Sequence, residues 1–272
     1  MENIRQAVER AKRRQNQESS FGQEPSLQQT RYVFSDAHGS TERTNEVELD
    51  PAHLQTERIV AYDGTDLRSR PFDMLRTEIL QSMDLKGWKT LAITSPTPCC
   101  GKTLVSVNLA LSMARQSERQ VFLADLDLRK PHVASSLGLK CKEGLAGVIE
   151  GRIELASALV RAKVGGSRLE ILPTMPASNS SDLVGSSAMK MLLQDVTGPG
   201  QSRIVILDLP PLLTGHDVIS ILPQVDCVLF VGAVGTSTVS EIEECNKYLQ
   251  GTDVVRFVLN KAPESTTRYA YY

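Results

Sequence analysis

The chain has 272 residues, 41% of them hydrophobic, enough for one sizeable core or two small ones. Its 30 Lys and Arg against 32 Asp and Glu leave a formal charge of -2, which removes the strong case for a nucleic-acid-binding protein. No apolar run approaches the roughly 18 residues of a membrane span, and cysteines at 99, 100, 141, 227 and 245 make no disulfide ladder, so a reducing cytoplasm is expected.

Residues 1–65 form the first segment, with 18 charged residues in the first 60 and repeated Gln, Ser, Thr and Glu, a composition expected of a largely disordered arm. Within it Ile4, Ala7, Val8 and Ala11 make a short apolar stripe followed by Lys12, Arg13 and Arg14. That pattern fits a frayed solvated helix, a partner-docking helix or one lying on an anionic membrane.

From 66 to 262 the pattern changes to apolar strands alternating with amphipathic stretches, which predicts an α/β domain with a mostly parallel central sheet flanked by helices. Strands are expected at 89–94, 120–125, 168–172, 203–208, 226–232 and 253–259. Helices are expected at 71–84, 102–116, 182–196, 216–222 and 237–250. Residues 263–272 are expected to be a flexible tail.

The first strand runs into Ser95-Pro96-Thr97-Pro98-Cys99-Cys100-Gly101-Lys102-Thr103 and then a helix beginning near Leu104. Strand, loop, Gly-Lys-Thr and helix is the context of a phosphate-binding loop, although Pro96 stands where the full motif has glycine. Backbone amides at 100–103 would face phosphates, Lys102 would add positive charge, and the Thr103 hydroxyl would reach Mg²⁺. The second strand ends in Asp125-Leu126-Asp127, and the strand at 203–208 ends in Asp208. Parallel strand tips share one crevice, so these acids predict a Mg²⁺–nucleotide site capable of phosphoryl transfer.

With these motifs the stretch from about Arg70 to Lys261 resembles the bacterial tyrosine kinases of exopolysaccharide and capsule production, within the deviant P-loop group that includes septum-site and partition ATPases. Ser95, Pro98, Gly101, Lys102 and Thr103 match the family loop, and Asp125, Asp127 and Arg129 match its Asp-x-Asp-x-Arg motif. Cys99 and Cys100 replace the family's Gly and Glu. A cysteine at 99 must then adopt φ > 0 or keep clear of the phosphates.

The resemblance implies ATP and Mg²⁺ as cofactors. It places Cys99, Cys100, Gly101, Lys102, Thr103, Leu104 and Asn260 at the nucleotide, with Asn260 against the adenine edge, and Thr103, Asp127 and Asp208 around the metal. Lys102, Asp125, Asp127 and Asp208 would be catalytic, Asp125 being the first choice to accept the tyrosine proton and Asp127 the second. Tyr269, Tyr271 and Tyr272 would be the phosphoacceptors.

The resemblance further implies an activating membrane co-polymerase or chain-length regulator, a cognate tyrosine phosphatase, a homo-oligomer, and peripheral attachment to the inner membrane through the partner. The family's oligomerisation helix reads Glu-x-x-Arg-x-x-Arg before Thr, where this chain has Arg70, Asp73, Arg76 and Thr77. Two other functions stay open on sequence: a switch ATPase without kinase activity, and a nucleotide-impaired pseudokinase adaptor.

Overall fold

The computed structural model describes residues 45–116, 119–177, 180–198 and 202–263. The stripe at Ile4 to Ala11 and the tyrosines at 269, 271 and 272 lie outside the described residues.

Eight strands form one sheet: β1 Asn45–Glu48, β2 Thr90–Thr94, β3 Gln120–Asp125, β4 Val160–Val164, β5 Ser167–Leu172, β6 Arg203–Asp208, β7 Cys227–Ala233 and β8 Asp253–Asn260. Their order across the sheet is β1-β4-β5-β3-β6-β2-β7-β8, and every neighbouring pair is parallel except the β4–β5 hairpin. The helices are α1 Pro51–Thr56, α2 Arg70–Lys86, α3 Lys102–Gln116, α4 Val133–Ser136, α5 Leu145–Ile149, α6 Leu155–Ala158, α7 Ser180–Val184, α8 Ser187–Thr197, α9 Asp217–Ile221 and α10 Val239–Tyr248.

The central strands β2, β3, β6 and β7 are apolar at consecutive positions because both sheet faces are covered. Alternation divides them between two cores. Ala92, Phe122, Ala124, Val205 and Leu207 pack with Met189, Leu192 and Val196 of α8. Leu91, Ile93, Leu123, Ile204 and Ile206 pack on the other face with Ile79 and Met83 of α2 and Val107, Leu109 and Leu111 of α3.

The expected domain start near residue 66 falls too late. Residues 45–61 supply β1 and α1, and Leu49, Leu54 and Ile59 are buried in the second core. The charged composition of the arm hid this because so few apolar residues carry the packing. Asn108 of α3 completes the attachment: its Oδ1 accepts the N–H groups of Val60 and Ala61 at 2.9 and 3.0 Å, while its Nδ2 donates to the Arg58 and Leu104 carbonyls.

The expected oligomerisation charges also have another use here. Arg76 is buried and donates to Asp73 at 2.8 Å and to the Ser112 hydroxyl at 2.9 Å, while Arg115 of α3 reaches the same Asp73 oxygen at 2.5 Å. Burial opposes ionisation of Asp73, but Ser112, Arg115 and Arg76 together hold its carboxyl below the usual range. These charges bracket α2 to α3, so Arg76 is not displayed for a neighbouring subunit.

Candidate functional site

The sheet order places the phosphate loop after β2 beside the tip of β6, with the tip of β3 on the far side of β6. Ile93 and Asp125 are both register partners of Asp208. A cavity of about 580 Å³ opens there, in the size range of nucleotide-scale ligand sites. Gly101, Lys102, Thr103, Leu104 and Asp127 line it, joined across the mouth by Arg129, Lys130, His132, Pro210, Pro211 and Thr214.

The loop achieves its shape with one left-handed cysteine and one glycine. Cys99 has φ 65° and Gly101 φ 89°. Conformations of this kind cost a non-glycine residue roughly 1–3 kcal/mol, which a well-packed surround can hold. Cys99 is exposed and lines the cavity, whereas Cys100 turns away from it, buried with its Sγ 3.3 Å from the Ser237 hydroxyl.

Gly101 is fixed by contact as well as by φ, since a Cβ there would collide with the Asn260 side-chain amide. Asn260 thus sits against the loop, and its expected place at the adenine edge stays a proposal. Its Nδ2 donates to the Cys100 carbonyl at 2.9 Å, and its Oδ1 accepts the Lys261 N–H at 2.8 Å.

The ladder of α3 begins with Val105 N–H donating to the Gly101 carbonyl at 3.0 Å. The amides before it form the positive end of a 15-residue helix, the natural seat of a phosphate.

Lys102 is buried, with Nζ 3.0 Å from Asp127 Oδ2 and 3.5 Å from Asp208 Oδ2. Burial alone would lower its pKa, but Asp208 and Asp127 override that and hold the ammonium above its ordinary value. Asp208 is fully buried and does not reach the cavity wall. Instead it accepts the Thr103 hydroxyl at 2.6 Å and the Ser106 hydroxyl at 2.9 Å.

Asp125 is likewise fully buried and absent from the cavity lining. Its Oδ1 accepts the Asp127 N–H, and its Oδ2 accepts the N–H groups of His132 and Val133, all at 3.0–3.1 Å. Burial and then the Asp208 carboxylate push it up to about 7, against the opposing pull of those N–H groups and Lys102. In this structure Asp125 anchors the 125–133 loop, and the expected role of first-choice proton acceptor requires that enclosure to open.

Thr103 and Asp127 present oxygen donors to the cavity and Asp208 orients Thr103 from behind. That donor set suits Mg²⁺, which favours one or two protein oxygens supplemented by water and phosphate.

Two features escaped the sequence reading. Ser106 braces Asp208; the signal for it was a run of polar residues, Ser106, Asn108 and Ser112, in an otherwise apolar helix. Arg129 forks onto Asp217 through Nε and Nη2 at 3.0 and 3.2 Å, tying the wall at 214–217 to the 125–133 loop. Ser181 donates to the same Asp217 carboxylate.

Comparison with known proteins agrees with this geometry. No protein-family model matches the chain. EpsB of Ralstonia solanacearum is 33% identical over 200 residues, covering 72% of this chain and 26% of EpsB. The tyrosine-protein kinase Wzc of Salmonella typhimurium is 27% identical over 222 residues, covering 81% of this chain and 30% of Wzc. The chain thus spans between a quarter and a third of the length of these relatives.

Among solved structures, the kinase domain of the Escherichia coli tyrosine kinase ETK superposes with a TM-score of 0.67 at 27% identity, covering 79% of this chain and 84% of that domain. The septum site-determining protein MinD of Pyrococcus horikoshii, solved with Mg-ADP, shares the fold at a TM-score of 0.54 and 20% identity, covering 65% of this chain and 72% of MinD.

The fold is that of the P-loop ATPases of the deviant Walker type. Within that group the chain is a homologue of the kinase domains of bacterial tyrosine kinases.

Proposed function

We propose that the chain is an ATP–Mg²⁺-dependent protein-tyrosine autokinase that regulates exopolysaccharide or capsule polymerisation and export. The observation that carries this reading is the convergence, on one open cavity, of the phosphate loop, the buried Lys102 and the oxygens of Thr103 and Asp127, with Asp208 orienting Thr103 from behind the wall. Cys99 and Cys100 leave that cavity open, which favours a working loop over a nucleotide-impaired adaptor.

Lys102 would neutralise charge on the transferring phosphate, and the α3 amides would cradle the neighbouring phosphates. Mg²⁺, held by Thr103 and Asp127, supplies charge stabilisation when bound. Positioning and electrostatics account for most of the catalysis in such a site. The acceptors in this reading are Tyr269, Tyr271 and Tyr272, presented by a neighbouring copy in a homo-oligomer.

Among the described residues no helix is long and apolar enough to cross a membrane. The proposed setting is the cytoplasmic side of the inner membrane, reached through a co-polymerase or chain-length regulator that activates the kinase. A cognate tyrosine phosphatase would reset it.

The test is intact-mass analysis of the full chain after incubation with Mg-ATP, beside Lys102→Met and a chain lacking residues 269–272. Added phosphate on wild type alone supports the proposal. ADP release with no phosphotyrosine would instead favour a switch ATPase.

A further inference from the structure

Among the described cavity-lining residues, the carboxylate, imidazole and thiol groups belong to Asp127, His132 and Cys99. Asp127 pairs with Lys102 through Oδ2 at 3.0 Å and accepts the Lys130 N–H through Oδ1 at 3.1 Å, and its remaining lone pairs are the ones assigned above to Mg²⁺. Asp125 and Asp208 are fully buried behind the wall.

His132 is oriented differently. Its Nδ1 lies 2.6 Å from the Lys130 carbonyl oxygen. A carbonyl only accepts, so Nδ1 carries a hydrogen and the neutral ring keeps its lone pair on Nε2. Asp125 holds the same residue from below by accepting its backbone N–H at 3.0 Å.

We propose that His132 is a catalytic residue whose Nε2 takes the proton from the acceptor tyrosine hydroxyl. The inference rests on the kinase reading above. As the tyrosine O–H bond breaks toward Nε2, the phenolic oxygen bonds to the γ-phosphorus. The bond from that phosphorus to the β–γ bridging oxygen breaks, its electron pair leaves with ADP, and the imidazolium later returns its proton to water. The role explains why a fully buried carboxylate is spent on backbone N–H groups at 127, 132 and 133: it fixes the loop that carries the base.

Besides His132, the ionisable residues lining the cavity are Cys99, Lys102, Asp127, Arg129 and Lys130, and Asp125 accepts the His132 backbone N–H. His53 of α1 packs behind α4, with Nε2 3.0 Å from the Ser135 carbonyl.

The experiment uses the full chain with Mg-ATP and a soluble Glu-Tyr copolymer as acceptor. Wild type is compared with His132→Gln and His132→Ala, the latter with and without added imidazole, and ATP affinity is measured by calorimetry. His132→Gln is expected to lower kcat about 100-fold, within the span of general-base catalysis, with ATP affinity unchanged. Imidazole should restore part of the His132→Ala rate.

An active wild type with an equally active His132→Gln would overturn the role of His132 and leave the kinase reading standing. A wild type that binds ATP but, even with the cytoplasmic segment of its activating co-polymerase added, phosphorylates neither itself nor the copolymer would overturn the kinase reading, and this inference with it.

Discussion

Asp125 shows how a motif residue's chemical type can be legible while its task is not. The Asp-x-Asp spacing at a strand end pointed to a shared crevice, and both residues are there. Spacing could not tell which carboxylate faces the cavity, because that depends on how the following loop folds back to donate three N–H groups to Asp125.

That enclosure has a pH signature. The folded-state value of about 7 lies above the ordinary 3.8, so between these values the folded chain holds a proton that the unfolded chain has released. This group's contribution to stability is therefore present near pH 4 and is lost as pH rises toward 7. Asp73, held low, acts only below its ordinary value and does not enter this window. Urea unfolding of wild type and Asp125→Asn at pH 5 and pH 7.5 should show a larger wild-type advantage at pH 5. An advantage that is equal or larger at pH 7.5 would contradict the assignment.

At the scale of elements, α2 carries a family-like charge pattern turned to an internal purpose. A reading of α2 alone gives Asp73–Arg76 a few tenths of a kcal/mol as an i,i+3 pair. The structure adds Ser112 and Arg115 from α3, and the burial of Arg76 makes the bracket worth more than a surface pair. Arg76→Ala should cost about 2 kcal/mol in urea unfolding and leave the sedimentation behaviour unchanged. Unchanged stability with an altered assembly state would place Arg76 at a subunit interface instead.

The elements themselves were readable to different degrees. Long apolar runs such as Val121 to Ala124 and Ile204 to Leu207 announced strands buried on both faces. The polar strands β1, at the sheet edge, and β4, next to it, did not, because their residues alternate or face outward with little apolar content. Likewise α8 and α7 were read as one helix at 182–196, which Gly185 and the Ser186 cap divide.

For the whole molecule, the fold class and the end of the sheet that holds the site followed from strand–helix alternation and from where Gly101-Lys102-Thr103, Asp127 and Asp208 fall. What tertiary contact alone could reveal was long-range support. Asn260 reaches back 160 residues to steady Cys100, and Asn108 clamps a segment some 50 residues before it. No local pattern encodes such contacts, although both residues are polar side chains held within packed surroundings.

The central claim is that this supported crevice binds a nucleotide by its phosphates. Calorimetric titration of Mg-ATP into wild type and Lys102→Met tests it most directly, with circular dichroism confirming that both are folded. The account predicts saturable one-site binding to wild type and at least a roughly 100-fold loss in the variant, as expected when a buried, charge-assisted phosphate contact is removed. Equal affinity in the two proteins, or no heat of binding to wild type, would contradict it.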